Sequence, residues 1–189
     1  MRHENVETIV ACINHIKSKR VVILGLVTDG FWSVFVRYGS IYPIQICLTH
    51  MKRIVRRYLT QKPKLEASKE LKYITDKLHL VPEEEFKFLY YTWLNKWQKF
   101  LKERSYIESE GKWVYTHRKL RSCVTSLNRY MPYLFTYQRY SRVPNTNNSL
   151  EGFNSALKSF IKVHHGLRAD RKMKLIHLYL LKDSQFKWG

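Results

Sequence analysis

The sequence predicts an α/β protein that is mostly helical by content, on three observations. Apolar residues recur at helical spacing over most of the 189 residues. One short unbroken run rich in β-branched residues, Val21 to Val27, has the character of a strand buried on both faces. A second such run, Ile44 to Leu48, follows Pro43.

The elements follow in order. Residues 4–17 place Val6, Ile9, Val10, Ile13 and Ile16 on one helical face. The strand Val21–Val27 then ends in Thr28-Asp29-Gly30. An acid just past the C-terminal end of a central strand stands where open α/β sheets place their chemistry, although an isolated Asp-Gly pair reads first as a turn. Phe31 to Tyr38 is a short helix, and the strand Ile44–Leu48 runs into Met51–Leu59, a helix whose exposed face carries Lys52, Arg53, Arg56 and Arg57. Residues 63–140 read as wholly helical, in several pieces. One helix from about Glu83 to Arg104 has Phe86, Leu89, Tyr90, Trp93, Trp97, Phe100 and Leu101 on its apolar stripe, with Glu83, Glu84 and Glu85 favourably placed at its N-terminal dipole. A loop surrounds Gly111. A basic helix from Thr116 to Tyr130 bears Arg118, Lys119, Arg121 and Arg129, and Tyr133 to Arg142 is extended or irregular.

The stretch Val143 to Gly166 joins a turn-rich lead-in to an amphipathic helix with Leu150, Phe153, Leu157, Phe160 and Ile161 on its apolar side and Lys158 and Lys162 opposite. With Asn148 as N-cap, Glu151 falls at the third helical position, the arrangement of a capping box. A last helix covers Leu167 to Leu181.

Charge points to the partner. The net charge is +19, from 34 Lys and Arg against 15 Asp and Glu. Residues 62–112 are nearly neutral, with 11 basic and 9 acidic side chains, so the rest of the chain holds 23 basic residues against 6 acidic ones: Glu4, Glu7, Asp29, Glu151, Asp170 and Asp183. A frame this basic suits a polyanion, nucleic acid ahead of an anionic membrane. Three widely spaced cysteines, Cys12, Cys47 and Cys123, make no disulfide framework and fit a reducing, cytoplasmic compartment. No apolar run approaches the ~20 residues of a membrane span. Cys47 and His50 form a Cys-x-x-His pair. Two ligands fall short of the four of a structural zinc site, so a buried thiol and a hydrogen-bonded imidazole are the favoured reading.

Asp29 and Glu151 are the two acids outside the neutral block that sit where convergent carboxylates could hold metal ions for phosphoryl transfer. In this order, VTDG at Val27–Gly30, CLTH at Cys47–His50 and NTNNSLEGFNSALK at Asn145–Lys158 resemble the DDE transposases of bacterial insertion sequences, most nearly the Mutator-like group. The resemblance implies a ribonuclease H-like core in which two Asp and one Glu bind two Mg²⁺ ions, with Mn²⁺ as a substitute. These ions support DNA cleavage by water and joining of the freed 3′-OH to target DNA. By resemblance Asp29 is the second Asp, Glu151 is the Glu, and Cys47 and His50 match the family's Cys-x-x-His motif. Residues 1–58 then form a partial core, 59–140 an all-helical insertion, and 141–189 the C-terminal helices that complete the core.

The first Asp of that family lies on a strand ahead of the helix that opens this sequence. The chain is therefore expected to be the C-terminal part of a transposase, lacking the first three core strands and inactive alone. Neither Glu4 nor Glu7 replaces the missing acid, since both ride on the first helix. The expected DNA contacts are Lys52, Arg53, Arg56, Arg57, Arg118, Arg121, Lys158 and Lys162. The expected partners are element ends, target DNA, and a second copy or the full-length transposase, beside the nucleoid. The alternative is a non-catalytic, basic DNA-binding or regulatory protein.

Overall fold

The computed structural model describes residues 5–188 and is mostly helical. Glu4, expected at the start of the first helix, lies outside the described residues. The chain divides into two compact units, one ending at Thr146 and the other beginning at Asn147.

In the first unit, helix α1 (Val6–Ser18) starts at Asn5, whose side chain accepts from the Thr8 N–H at 2.8 Å and satisfies one of the donors a helix start leaves open. Strand β1 (Leu26–Thr28) pairs in parallel with β2 (Ile44–Ile46), Val27 standing opposite Gln45. Between them lies α2 (Trp32–Tyr38), the crossover that parallel strands require. Helix α3 (Leu48–Leu59) follows β2 directly. Then come α4 (Glu66–Asp76), α5 (Glu83–Lys96), α6 (Gln98–Lys102), an antiparallel hairpin of β3 (Arg104–Ile107) and β4 (Lys112–Tyr115), α7 (Arg118–Tyr130) and α8 (Thr136–Arg139).

One core joins these elements. It runs from Ile13 of α1 through Phe35, Ile46, Met51 and Val55 to Leu71, Phe86, Tyr90, Leu127 and Phe135, all buried. Buried residues of 59–140 and of the strands thus belong to the same cluster. In the second unit, α9 (Asn148–Val163) and α10 (Ala169–Trp188) pack on each other, the ring of Tyr179 lying 5.8 Å from Phe153 and 5.0 Å from Phe160.

Four expectations are corrected. The run Val21–Val27 is not a strand buried throughout: only Leu26–Thr28 is paired, and Val22 is 78% exposed. Residues 59–140 are not all helical, because Tyr106 and Trp113 face each other across the β3–β4 ladder, 5.4 Å apart, and Gly111 takes the left-handed turn conformation at φ +59°. These aromatic and β-branched residues favour a pleated pair, and Gly closes it without steric cost. The helix from Glu83 stops at Lys96, and α6 restarts beyond Trp97, whose indole N–H donates to the Glu70 carboxylate at 2.8 Å. The stretch Tyr133–Arg142 is partly helical, since α8 lies within it.

Candidate functional site

Asp29 is presented by a turn that several interactions hold. β1 ends at Thr28, whose hydroxyl oxygen accepts from the Gly30 N–H at 3.4 Å. Gly30 has φ +106°, a conformation that a side chain would strain. The Tyr130 hydroxyl, at the end of α7, donates to the Gly30 carbonyl at 3.1 Å, and its oxygen lies 2.9 Å from where a Cβ on Gly30 would stand. The Asp29 side chain is 47% exposed, open to solvent and to a ligand.

The partner strand delivers the second group. The Cys47 N–H donates to the Thr28 carbonyl at 2.9 Å, which continues the β1–β2 pairing to the point where α3 begins. One turn along, the His50 Nδ1 stands 3.7 Å from the Asp29 Oδ2, too far for a hydrogen bond. That nitrogen is buried and has no hydrogen-bond partner. Cys47, in contrast, is wholly buried in the core. The two residues of the Cys-x-x-His pair therefore do different things: the thiol packs and the imidazole turns to Asp29.

The last residues of the first unit are anchored on α3 and on the approach to β1. The Leu48 N–H, in the first turn of α3, donates to the Asn145 carbonyl at 3.0 Å. Val143 is buried against Gly25, where an added Cβ would meet its Cγ2 at 2.6 Å. In the second unit, Glu151 lies in the first turn of α9 and is half-buried. The expected capping box is absent. The helix begins at Asn148 with Asn147 as N-cap and no side-chain capping bond, so Glu151 falls one position beyond that of a box.

The basic residues sort into two groups. Lys52 donates to the Asp76 carbonyl at 2.8 Å, at the C-terminal end of α4, and contacts the His79 Nδ1 at 2.5 Å. Burial lowers its pKa; the Asp76 carboxylate opposes the shift and Arg56 adds to it. Arg56 donates to the Asp76 carboxylate at 3.2 Å, and Arg121 lies 3.5 Å over the Tyr115 ring while donating to the Leu101 carbonyl at 2.7 Å. These three side chains are engaged with groups of the protein itself, Arg56 from an exposed position. Arg53, Arg57, Arg118, Lys158 and Lys162 are exposed, where phosphate can reach them.

Two residues that reading the sequence did not single out, Tyr130 and Gln45, matter here, as does Arg129, which it read as one charge of a basic helix. Tyr130 locks the Asp29 turn. Arg129 lies 5.6 Å over the Trp32 ring, beside that turn. Gln45 is fully buried in β2, its Nε2 donating to the Leu134 carbonyl at 2.9 Å and its Oε1 accepting from the Tyr137 N–H at 2.9 Å. A polar residue in a strand core is the only local signal for any of them.

Chemically, the half-exposed Asp29 carboxylate is a hard oxygen donor of the kind that binds Mg²⁺ together with water and phosphate oxygens. It fits such an ion as one ligand of several. Among the described residues no group of three or more His, Cys, Asp or Glu is gathered to hold a metal. No described helix is long and apolar enough to cross a membrane.

Residues 11–161 match the Transposase IS66 family. The insertion-sequence transposase resemblance thus holds at that level, and its assignment to the Mutator-like group is corrected, since IS66 is a different family. No curated protein and no solved structure matches the chain.

Proposed function

Because the chain belongs to the IS66 family of transposases, we propose that it acts on DNA through a divalent-metal centre to which Asp29 and Glu151 contribute carboxylates. The fold that carries them would be ribonuclease H-like, with Mg²⁺ or Mn²⁺ as the ion and the nucleoid as its place of work. The supporting observation is Asp29 itself. It stands at the C-terminal end of a parallel strand, in a turn clamped from both sides, with its carboxylate accessible. That is where open α/β sheets bind ligands.

When bound, the metal would supply activation of water and stabilisation of charge on the phosphate being cut. The chain's own residues do the rest. Asp29 and Glu151 hold the metal. Arg53, Arg57, Arg118, Lys158 and Lys162 bind the DNA backbone by charge, without reading sequence. Lys52, Arg56 and Arg121 keep the supporting helices in place.

The resemblance calls for three carboxylates and assigns two in this sequence. We therefore expect the chain alone to bind DNA without cutting it, a regulatory or accessory behaviour, with a second copy or a full-length transposase as partner. The +19 charge favours this binding reading on its own. The test combines DNA binding across a salt series with a Mg²⁺- and Mn²⁺-dependent nicking assay. Steep salt dependence and uncut DNA are expected, with Asp29→Ala and Glu151→Ala lowering metal affinity and sparing DNA affinity. Nicking that Asp29→Ala abolishes would overturn the inactivity, and absence of DNA binding near physiological salt would overturn the reading itself.

A further inference from the structure

We propose that His50 is a metal ligand beside Asp29, and that the pair selects a transition-metal ion of the Mn²⁺ class over Mg²⁺. The inference rests on Asp29 being a metal ligand and adds the identity of its neighbour and of the ion.

Two observations carry it. The His50 Nδ1 is buried without any hydrogen-bond partner. A buried polar atom left in that state costs about 1–3 kcal/mol unless something satisfies it. The same atom stands 3.7 Å from the Asp29 Oδ2. Two atoms that each bind one ion at about 2.1 Å stand roughly 3 to 4 Å apart, according to the angle between them. The separation is thus too long for a direct hydrogen bond and right for a shared cation.

The arrangement is built rather than incidental. β1 and β2 are adjacent parallel strands, so their C-terminal ends lie side by side, and the Cys47-to-Thr28 hydrogen bond brings the start of α3 against the Asp29 turn. His50 then sits in the first turn of a helix whose next residue, Met51, is fully buried, which holds the backbone beneath the imidazole. On the other side Tyr130 holds the carbonyl of Gly30, next to Asp29. Both donors are carried by clamped backbone.

The donor set decides the ion. Mg²⁺ takes oxygen ligands and keeps its waters, whereas imidazole nitrogen suits first-row transition ions. One nitrogen and one carboxylate oxygen leave the remaining positions for water, phosphate oxygens and a further carboxylate.

The test uses the full chain with Mn²⁺ and Mg²⁺ as the probes, without DNA. Bound Mn²⁺ is measured by loss of the free-ion electron paramagnetic resonance signal, and Mg²⁺ by its competition. Pulsed measurements on the bound Mn²⁺ read coupling to the ¹⁴N of an imidazole. The wild-type protein should show that coupling, and His50→Ala should remove it. His50→Ala should also weaken Mn²⁺ on the order of 10-fold or more while leaving Mg²⁺ unchanged. His50→Gln, which keeps bulk and polarity, should fail in the same way, with circular dichroism confirming the fold of both variants. Mn²⁺ binding without nitrogen coupling, or with equal affinity in both His50 variants, overturns the proposal. Asp29→Ala separates the two readings. If it weakens the metal while the His50 variants do not, Asp29 remains a ligand and His50 is not one. If the wild-type chain binds neither ion, both readings fall.

Discussion

The hydroxyl of Tyr130 donates to the carbonyl oxygen of Gly30 across 100 residues of sequence, at 3.1 Å. This bond ties the end of α7 to the turn that presents Asp29. Tyr130→Phe keeps the ring and removes the bond, so it should cost about 0.5–1.5 kcal/mol in a urea melt. Gly30→Ala should cost more, about 1–3 kcal/mol, because φ +106° strains any side chain and its Cβ would crowd the Tyr130 oxygen.

Gln45 makes the buried joint between β2 and the approach to α8. Gln45→Leu is nearly isosteric, yet it leaves the Leu134 carbonyl and the Tyr137 N–H without their partner. Two unsatisfied buried groups should cost on the order of 2–5 kcal/mol, seen as a lowered denaturation midpoint. Gln45→Glu should be worse still, since a carboxylate cannot donate to Leu134.

The two groups of basic residues should separate by assay. Arg57→Ala and Arg118→Ala should weaken DNA binding and each reduce the salt slope by about one unit, with the melt unchanged. Lys52→Met and Arg121→Ala should lower stability first, because they remove contacts to Asp76, Leu101 and Tyr115. Equal loss of DNA affinity in all four, with no stability change in any, would contradict this division.

Stability should fall on both sides of neutral pH. Burial pushes the Cys123 thiol up to about 12, and burial also raises the Tyr90 phenol. Above the ordinary thiol value of ~8.5 the unfolded chain ionises Cys123 while the folded chain does not, so stability declines as pH rises from there. Cys123→Ala should flatten that alkaline limb. In acid, hydrogen bonds from Lys96 and Trp97 hold the Glu70 carboxyl below its usual range. Its contribution is present above the unfolded carboxyl value and is lost as pH falls through the folded one. Glu70→Gln should flatten the acid limb, measured by urea melts across pH.

What could be read from the sequence was local. Asp29 stood out because a β-branched run ends in Asp-Gly, and the structure puts it at a strand end with Gly30 in a left-handed turn. Of Ile54, Val55 and Leu59, the residues read as the packing side of the basic helix, Val55 and Leu59 are buried and Ile54 is partly so, while Met51 joins the core unannounced. The β3–β4 hairpin stayed hidden because each strand is only four residues long and the charged turn between them, Glu108 to Gly111, reads as loop. Tyr130 carried no signal at all, since its partner lies 100 residues away. The fate of each arginine was equally illegible. Arg56 and Arg57 are neighbours on one helix, and only the position of Asp76 on another element gives the first a structural task.

Helix α3 spans two places that a chain trace keeps apart. His50, in its first turn, faces Asp29, and Lys52 and Arg56 grip the end of α4. A helix rises about 1.5 Å per residue and resists bending, so this stretch behaves as a stiff rod. Its first turn is seated by the Leu48 N–H on the Asn145 carbonyl, and its later turns are held by the two cations on Asp76. The place of the imidazole beside the carboxylate is thereby set as much by Asp76, on another helix, as by the strand end it faces.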